Sequence, residues 1–171
     1  SGQTCTVCHE AAGPAVAHTP PLWSPTHTRA TFTPYSSATL NAKVGRPGGS
    51  SLVCLGCHDG TVAANSIPGG QGEQLAACEA VIGTELNRQH PVSFRYDSAL
   101  AAQDGELYDP ATRTVPVLGG KTVRAALLNG DQMECASCHD VHRIKGESGS
   151  NRYGLVLSDG GGQLCLMCHN K

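Results

Sequence analysis

The stretch Met133-Glu-Cys-Ala-Ser-Cys-His-Asp-Val-His142 decides how this chain is organised. It holds two cysteines three positions apart, with a histidine directly after the second. The same Cys-x-x-Cys-His pattern also begins at Cys5, Cys54 and Cys165, and it is the attachment signature of haem c. Two thiols on one helical turn can reach both vinyl groups of a porphyrin, and the adjacent imidazole then takes the proximal iron position. The sequence therefore predicts four covalently attached haems c.

The predicted attachment residues follow directly from the motifs. The thioether cysteines are Cys5, Cys8, Cys54, Cys57, Cys135, Cys138, Cys165 and Cys168, and the proximal iron ligands are His9, His58, His139 and His169. A disulfide framework, a zinc ribbon and a redox dithiol are the rival interpretations. Zinc does not require a histidine after each pair, and a redox dithiol needs one pair rather than four, so haem is favoured. The ninth cysteine, Cys78, is either a buried inert thiol or a site of intermolecular pairing or reactivity.

The remaining histidines match the remaining iron positions one to one. Of eight histidines, four are proximal, which leaves four candidate distal ligands: His18, His27, His90 and His142. Methionine is the other common axial ligand and raises the reduction potential, but Met133 and Met167 lie too close to their own attachment motifs. We therefore predict bis-His ligation at every haem. His142 follows His139 too closely to reach the same ring, so it is expected to ligate a neighbouring haem.

The composition indicates an interior that side chains alone do not fill. The 171 residues include 21 Gly and 10 Pro but only 4% aromatics, and chains poor in large apolar residues often fail to fold. Four haems would supply the missing core. We predict one domain over 1–171, with loose halves 1–70 and 71–171, mostly coil with short helices and little or no sheet, wrapped around a closely packed chain of four haems. Short helices are predicted at 97–103, 120–129 and 159–169.

Charge and hydropathy exclude several classes of partner. The net charge is −2 without runs of like charge, which gives no indication of nucleic-acid or anionic-membrane binding. No apolar run is long enough to span a bilayer. Because haem c is attached outside the cytoplasm, we expect an exported protein whose leader has been removed.

Five segments together carry a family resemblance: LWSPTHTRATFTPYSSATLNA (22–42), LVCLGCHDGTVAANS (52–66), IGTELNRQHPVSFRYDSALAA (82–102), TVRAALLNGDQMECASCHDVH (122–142) and GGQLCLMCHNK (161–171). They resemble the small tetrahaem surface cytochromes of metal-reducing bacteria with doubled Cys-x-x-Cys-His motifs. That resemblance implies an extracellular or cell-surface filament of identical subunits joined head to tail. It also implies a histidine of one subunit ligating a haem of the next, and we expect His18 first, or His27 second, to reach a C-terminal haem of the adjacent subunit.

The predicted function is long-range electron transfer to other cytochromes and extracellular acceptors, without catalysis. A soluble periplasmic tetrahaem shuttle is the alternative that the motifs leave open. A multihaem reductase is a third interpretation, but it needs an iron with an open position. Eight histidines for eight axial positions leave none open.

Overall fold

The computed structural model describes residues 28–61, 81–143, 153–157 and 160–171. The chain divides into two compact units, each built from two separate stretches of sequence. The first unit comprises Ser1–Thr33 with Leu52–Leu86, and the second comprises Pro34–Ser51 with Asn87–Lys171.

Regular structure in the described residues consists of short elements. The helices are α1 (Gly49–His58), α2 (Ser98–Asp104), α3 (Val123–Leu127) and α4 (Cys135–Cys138). The strands are β1 (Phe94–Arg95), β2 (Thr114–Val115), β3 (Lys121–Thr122) and β4 (Gln132–Met133). Turns of 3₁₀ helix lie at Leu86–Arg88, Pro116–Leu118, Val141–Arg143, Gly160–Gly162 and Cys165–Met167.

Two antiparallel strand pairs organise the second unit. β1 pairs with β4, so that Phe94 lies opposite Met133. β2 pairs with β3, with Thr114 opposite Thr122. Each pair is only two residues long, so neither is stable by itself, and both depend on the packing of the side chains around them.

Local capping explains where α2 begins and ends. Asp97 is the N-cap, and its carboxylate accepts a hydrogen bond from the Leu100 N–H at 2.9 Å. Gly105 follows the helix with φ 77°, and its N–H donates to the Ala101 carbonyl at 3.0 Å. That backbone conformation suits glycine, which has no Cβ. The helix predicted at 97–103 is therefore confirmed.

The other two predicted helices need correction. The helix predicted at 120–129 is shorter than expected and comprises α3 alone. Lys121–Thr122 forms β3, which pairs with β2, so the helix cannot begin earlier. Thr122 caps α3, and its hydroxyl accepts a hydrogen bond from the Ala125 N–H at 3.2 Å. The helix predicted at 159–169 is wrong for the residues described, which form two 3₁₀ turns. Gly161 and Gly162 both have φ 70°, and two left-handed residues in succession interrupt a right-handed helix.

The core of the second unit gathers apolar side chains from most of these elements. Its fully buried members are Phe94, Tyr96, Leu100, Ala101, Val115, Val123, Leu127, Met133 and Met167. Val123 has no exposed surface at all. This cluster, which we call the main core, brings the chain before α4 and the turn at Cys165–Met167 into one packed assembly.

The first unit has a smaller apolar cluster and one buried carboxylate. Phe32, Leu55 and Leu86 pack together, and Leu86 donates its N–H to the Thr33 carbonyl at 2.8 Å. Asp59 is 3% exposed. Its carboxylate accepts from the Thr28 hydroxyl, from the Thr61 hydroxyl at 2.9 Å and from the Thr61 N–H at 2.8 Å.

The predicted fold class is thus confirmed at the level of secondary structure: mostly coil, with short helices and two very small sheets. Among the described residues, no helix has the length and apolar character to cross a membrane. The predicted arrangement around four haems stays a prediction, and so does the single domain with two loose halves.

Candidate haem-attachment sites

Helical turns position the paired thiols of the three motifs that the structure describes. Cys54 and Cys57 lie on α1, whereas Cys135 and Cys138 are the first and last residues of α4. Cys165 begins a 3₁₀ turn that Cys168 follows in right-handed helical conformation. Residues three apart on a helix share one face, so each pair can bind one flat ligand. The first motif, with Cys5, Cys8 and His9, lies outside the described residues.

A repeated backbone hydrogen bond closes the turn in the two motifs of the second unit. The N–H of His139 donates to the Cys135 carbonyl at 3.0 Å, and the N–H of His169 donates to the Cys165 carbonyl at 2.9 Å. His139 then leaves the helix with φ −116° and ψ 129°. The same short ring of backbone therefore places a histidine beside its own cysteine pair in both motifs.

Carbonyl groups fix the tautomer of two of the histidines. His139 Nδ1 lies 2.8 Å from the Tyr153 carbonyl oxygen, and His90 Nδ1 lies 2.9 Å from the Pro91 carbonyl oxygen. A carbonyl can only accept, so Nδ1 carries the proton and Nε2 keeps its lone pair. Histidines that bind metals almost always use their second nitrogen in this way. Both rings therefore present Nε2 as a nitrogen that can bind a metal.

Desolvation also favours the neutral form of His90. It lowers the pKa of the imidazole, while the hydrogen bond to Pro91 opposes that shift and the charge of His169 adds to it. The residue as a whole remains exposed, so solvent weakens the effect. Only the neutral imidazole can bind a metal, so the shift is in the direction that ligation requires.

The fourth motif is anchored to its own unit through backbone and a buried tyrosine. Tyr96, which is 1% exposed, donates its hydroxyl to the Tyr108 carbonyl at 2.6 Å. The Tyr108 N–H donates to the Cys168 carbonyl at 2.8 Å, and the Asn170 N–H donates to the Glu106 carbonyl at 2.8 Å. Burial raises the pKa of Tyr96 well above its usual range, so its hydroxyl remains a donor at neutral pH.

Electrostatic coupling places the third and fourth cysteine pairs near each other. Burial raises the pKa of the Cys138 thiol to about 11, and the charges of Cys135 and Cys165 add to it. Burial also raises the pKa of the Cys168 thiol to about 12, followed by the charge of Cys138. A negative charge on a thiolate of one motif therefore raises the pKa of a thiol in the other. Two porphyrins attached to these pairs would be neighbours.

The candidate distal ligands divide into those that the structure describes and those that it does not. The rings of His90 and His169 lie with their centroids 6.4 Å apart and their planes at 77°. The His142 side chain is 76% exposed, with Nδ1 3.3 Å from an Asp140 carboxylate oxygen. His18 and His27, like Cys78, lie outside the described residues.

Both methionines are committed to the main core. Met133 and Met167 are each 5% exposed and pack within the same apolar cluster. Burial of both side chains disfavours methionine ligation for a reason that does not depend on their distance along the chain from the motifs. An axial methionine would have to leave the core, at a cost of about 2–5 kcal/mol by comparison with truncating such a side chain.

Sequence reasoning missed a buried carboxylate next to the third motif. Glu134 is 5% exposed. It accepts hydrogen bonds from the Ser51 N–H at 3.1 Å, from the Ser51 hydroxyl and from the Ser93 hydroxyl at 3.0 Å. The Cys135 N–H donates in turn to the Ser51 hydroxyl at 2.9 Å. An acidic residue immediately before the first cysteine, in an N-cap position, was the available signal.

The donor set fits haem c better than the rival cofactors. No disulfide joins the six described motif cysteines to one another. Within the described ranges, no three His, Cys, Asp or Glu side chains converge as a metal-ion site requires, whereas a structural zinc site needs four ligands around one point. Separate cysteine pairs, each followed by a histidine, match covalent porphyrin attachment. Comparisons with models of known protein families and with curated protein sequences found no match.

Proposed function

We propose that this chain is a tetrahaem c-type cytochrome that transfers electrons over long distances. When bound, the haem iron supplies reversible one-electron oxidation and reduction. The observation that carries the proposal is the repeated turn in the third and fourth motifs, with the histidine N–H bonded to the carbonyl of the first cysteine. In each of these two motifs, the turn puts both cysteines on one face with the histidine directly after them. Porphyrin attachment needs this arrangement.

The residues around these turns would act by holding the attachment sites still. Tyr96 anchors the carbonyl side of the fourth motif, while Glu134 and Ser51 hold the start of the third. Both methionines pack in the main core, so the third and fourth motifs share one rigid support. A fixed ligand set keeps structural change small when an electron arrives or leaves, which favours rapid transfer.

Proximity of attachment sites supports conduction rather than storage of single electrons. The charge of Cys165 raises the pKa of Cys138, and the charge of Cys138 raises the pKa of Cys168, so porphyrins on these two cysteine pairs would be neighbours. Bis-His ligation, with His9, His58, His139 and His169 proximal and His18, His27, His90 and His142 distal, would leave no open position for a substrate. We therefore propose a conduit rather than an enzyme.

We propose further that the conduit works as an extracellular filament of identical subunits, which is what the family resemblance implies. A head-to-tail contact that does not close generates an open helical polymer. An iron–histidine bond from His18 or His27 to the next subunit would fix that contact. The exposed His142 shows that this chain also presents a histidine to its surroundings.

The test begins with the haem-loaded protein. Intact mass spectrometry should show four covalent haems, and the reduced protein should bind no carbon monoxide because every iron is six-coordinate. Negative-stain microscopy of the same material should show filaments, and single particles of subunit size would favour the soluble shuttle. Fewer than four haems, or carbon monoxide binding by the unaltered protein, contradicts the proposal of a saturated conduit.

A further inference from the structure

The pairing of distal histidines with individual haems is open in the sequence, and one pair is close together in the structure. His90 lies in the segment before β1, and His169 is the last residue of the fourth motif. Their ring centroids are 6.4 Å apart and their planes are 77° apart. Both residues belong to the second unit.

This separation is close to the one expected for two imidazoles on opposite sides of a single iron. A metal–imidazole nitrogen bond is about 2.0–2.1 Å, and the ring centre lies about 1.1 Å beyond that nitrogen. Two such ligands in line therefore place their centroids about 6.3 Å apart. An iron bound by both histidines would lie between the two rings.

An edge-to-face contact without metal has a similar separation, about 4.5–7 Å, so a second observation is needed. The His90 Nδ1 is already bonded to the Pro91 carbonyl at 2.9 Å, which leaves Nε2 as an unused acceptor. An edge-to-face contact needs no such tautomer, whereas an iron ligand does. His90 is also exposed, so ring packing alone stabilises this position little.

Both rings are carried by backbone that is fixed to the same core. His169 forms a bridge with Leu107, and the neighbouring Asn170 donates to the Glu106 carbonyl at 2.8 Å. On the other side, the Ser93 N–H donates to the Met133 carbonyl at 2.6 Å, three residues after His90. The backbone that carries the two rings is therefore held by hydrogen bonds within the second unit.

We propose that His90 is the sixth ligand of the iron whose haem is attached to Cys165 and Cys168, opposite His169, with the two imidazole planes nearly perpendicular. This assignment rests on the proposed function and narrows it. It leaves the haem at Cys135 and Cys138 as the C-terminal haem that a histidine of the adjacent subunit can reach. His18, His27 and His142 then serve the other three irons.

The test introduces His90→Ala into the four-haem protein and into a three-haem variant, and measures carbon monoxide binding in each. His90→Ala in the four-haem protein should create one carbon monoxide-binding haem per chain. In a chain that lacks the fourth haem through Cys165→Ala and Cys168→Ala, the same His90→Ala change should create none. A carbon monoxide-binding haem that persists in the three-haem background overturns the assignment, as does a His90→Ala protein that binds no carbon monoxide.

His142→Ala is the matched control, because it removes a histidine assigned to a different haem. It should create a carbon monoxide-binding haem in both backgrounds. His90→Met should restore a six-coordinate iron with a raised potential. If the chain without the fourth haem does not fold, a structure of the haem-loaded protein decides, and any other residue opposite His169 overturns the proposal.

The ring planes give an independent spectroscopic readout. Nearly perpendicular imidazole planes produce a strongly anisotropic low-spin ferric signal in electron paramagnetic resonance, and one haem's share of it should be lost in His90→Ala. The number of covalent haems distinguishes failure of the proposed function from failure of the His90–His169 pairing. Four haems with an unchanged signal in His90→Ala refute the pairing alone, whereas a chain without covalent haem refutes the proposed function and the pairing with it.

Discussion

Replacing Glu134 by alanine should destabilise the second unit strongly, although the residue is not expected to touch iron. The carboxylate is 5% exposed and accepts from the N–H and hydroxyl of Ser51 and from the hydroxyl of Ser93. Alanine removes every one of these acceptors. Leaving a buried donor without a partner costs more free energy than its hydrogen bond contributed to stability.

The size of the effect can be worked out from the partners. Ser93 can turn its hydroxyl to the Gly48 carbonyl, 3.3 Å away, so the main loss falls on the two donors of Ser51. Each bond to a charged acceptor contributes about 1.5–3 kcal/mol. Removing a desolvated carboxylate offsets part of the loss, so we expect a net decrease of about 3 kcal/mol in the free energy of unfolding. At this chain length it lowers Tm by about 6–12 °C.

Urea denaturation of the haem-loaded protein, followed by circular dichroism in the Soret band, measures this change. Glu134→Gln keeps one acceptor oxygen and should lose about half as much as Glu134→Ala. Glu106→Ala is the matched control, because that carboxylate is 61% exposed and pairs with Lys171 at the surface, where ion pairs contribute little. Equal stability of Glu134→Ala and Glu106→Ala would refute the reasoning.

Substitutions at four further positions test other parts of the structure. Asp97→Ala removes the N-cap of α2 and should cost about 1 kcal/mol in the same denaturation, while Asp97→Asn should recover most of it; equal losses would contradict a capping role. Tyr96→Phe removes the hydroxyl that holds the Tyr108 carbonyl and should cost about 1–2 kcal/mol, and a neutral result would mean that the bond is dispensable. Met133→Leu and Met167→Leu should each cost less than about 1.5 kcal/mol and leave all reduction potentials unchanged in a redox titration. A large fall in one potential would instead identify an axial methionine.

The sequence was most informative where the chemistry is local. Four Cys-x-x-Cys-His motifs can be recognised in the sequence because the cysteines and histidine of each motif lie within five residues. Asp97 predicted the start of α2 for the same reason, since a cap acts on the N–H three positions away. The coil-rich fold class could be predicted from composition, because glycine and proline limit the length of helices and strands whatever the tertiary fold.

Long-range contacts were beyond the reach of the sequence. Glu134 meets Ser51, 83 positions away, and no pattern marks either residue as a partner of the other. The helix predicted at 159–169 failed because the consequence of three successive glycines depends on their φ angles, which only the fold determines. The His90–His169 pair was equally hidden, because spacing says which histidines are available and not which ring lies opposite which.

Burial of the two methionines changes how the haem sites are understood. Met133 lies two residues before Cys135 and Met167 lies inside the fourth motif, and both side chains end in the main core. Each therefore tethers one attachment turn to the same packed cluster. Because protein interiors are close-packed and resist deformation, the two cysteine pairs are held at a fixed separation. Electron hopping depends steeply on separation, so in the proposed cytochrome the two methionines would set the distance between two haems rather than bind iron.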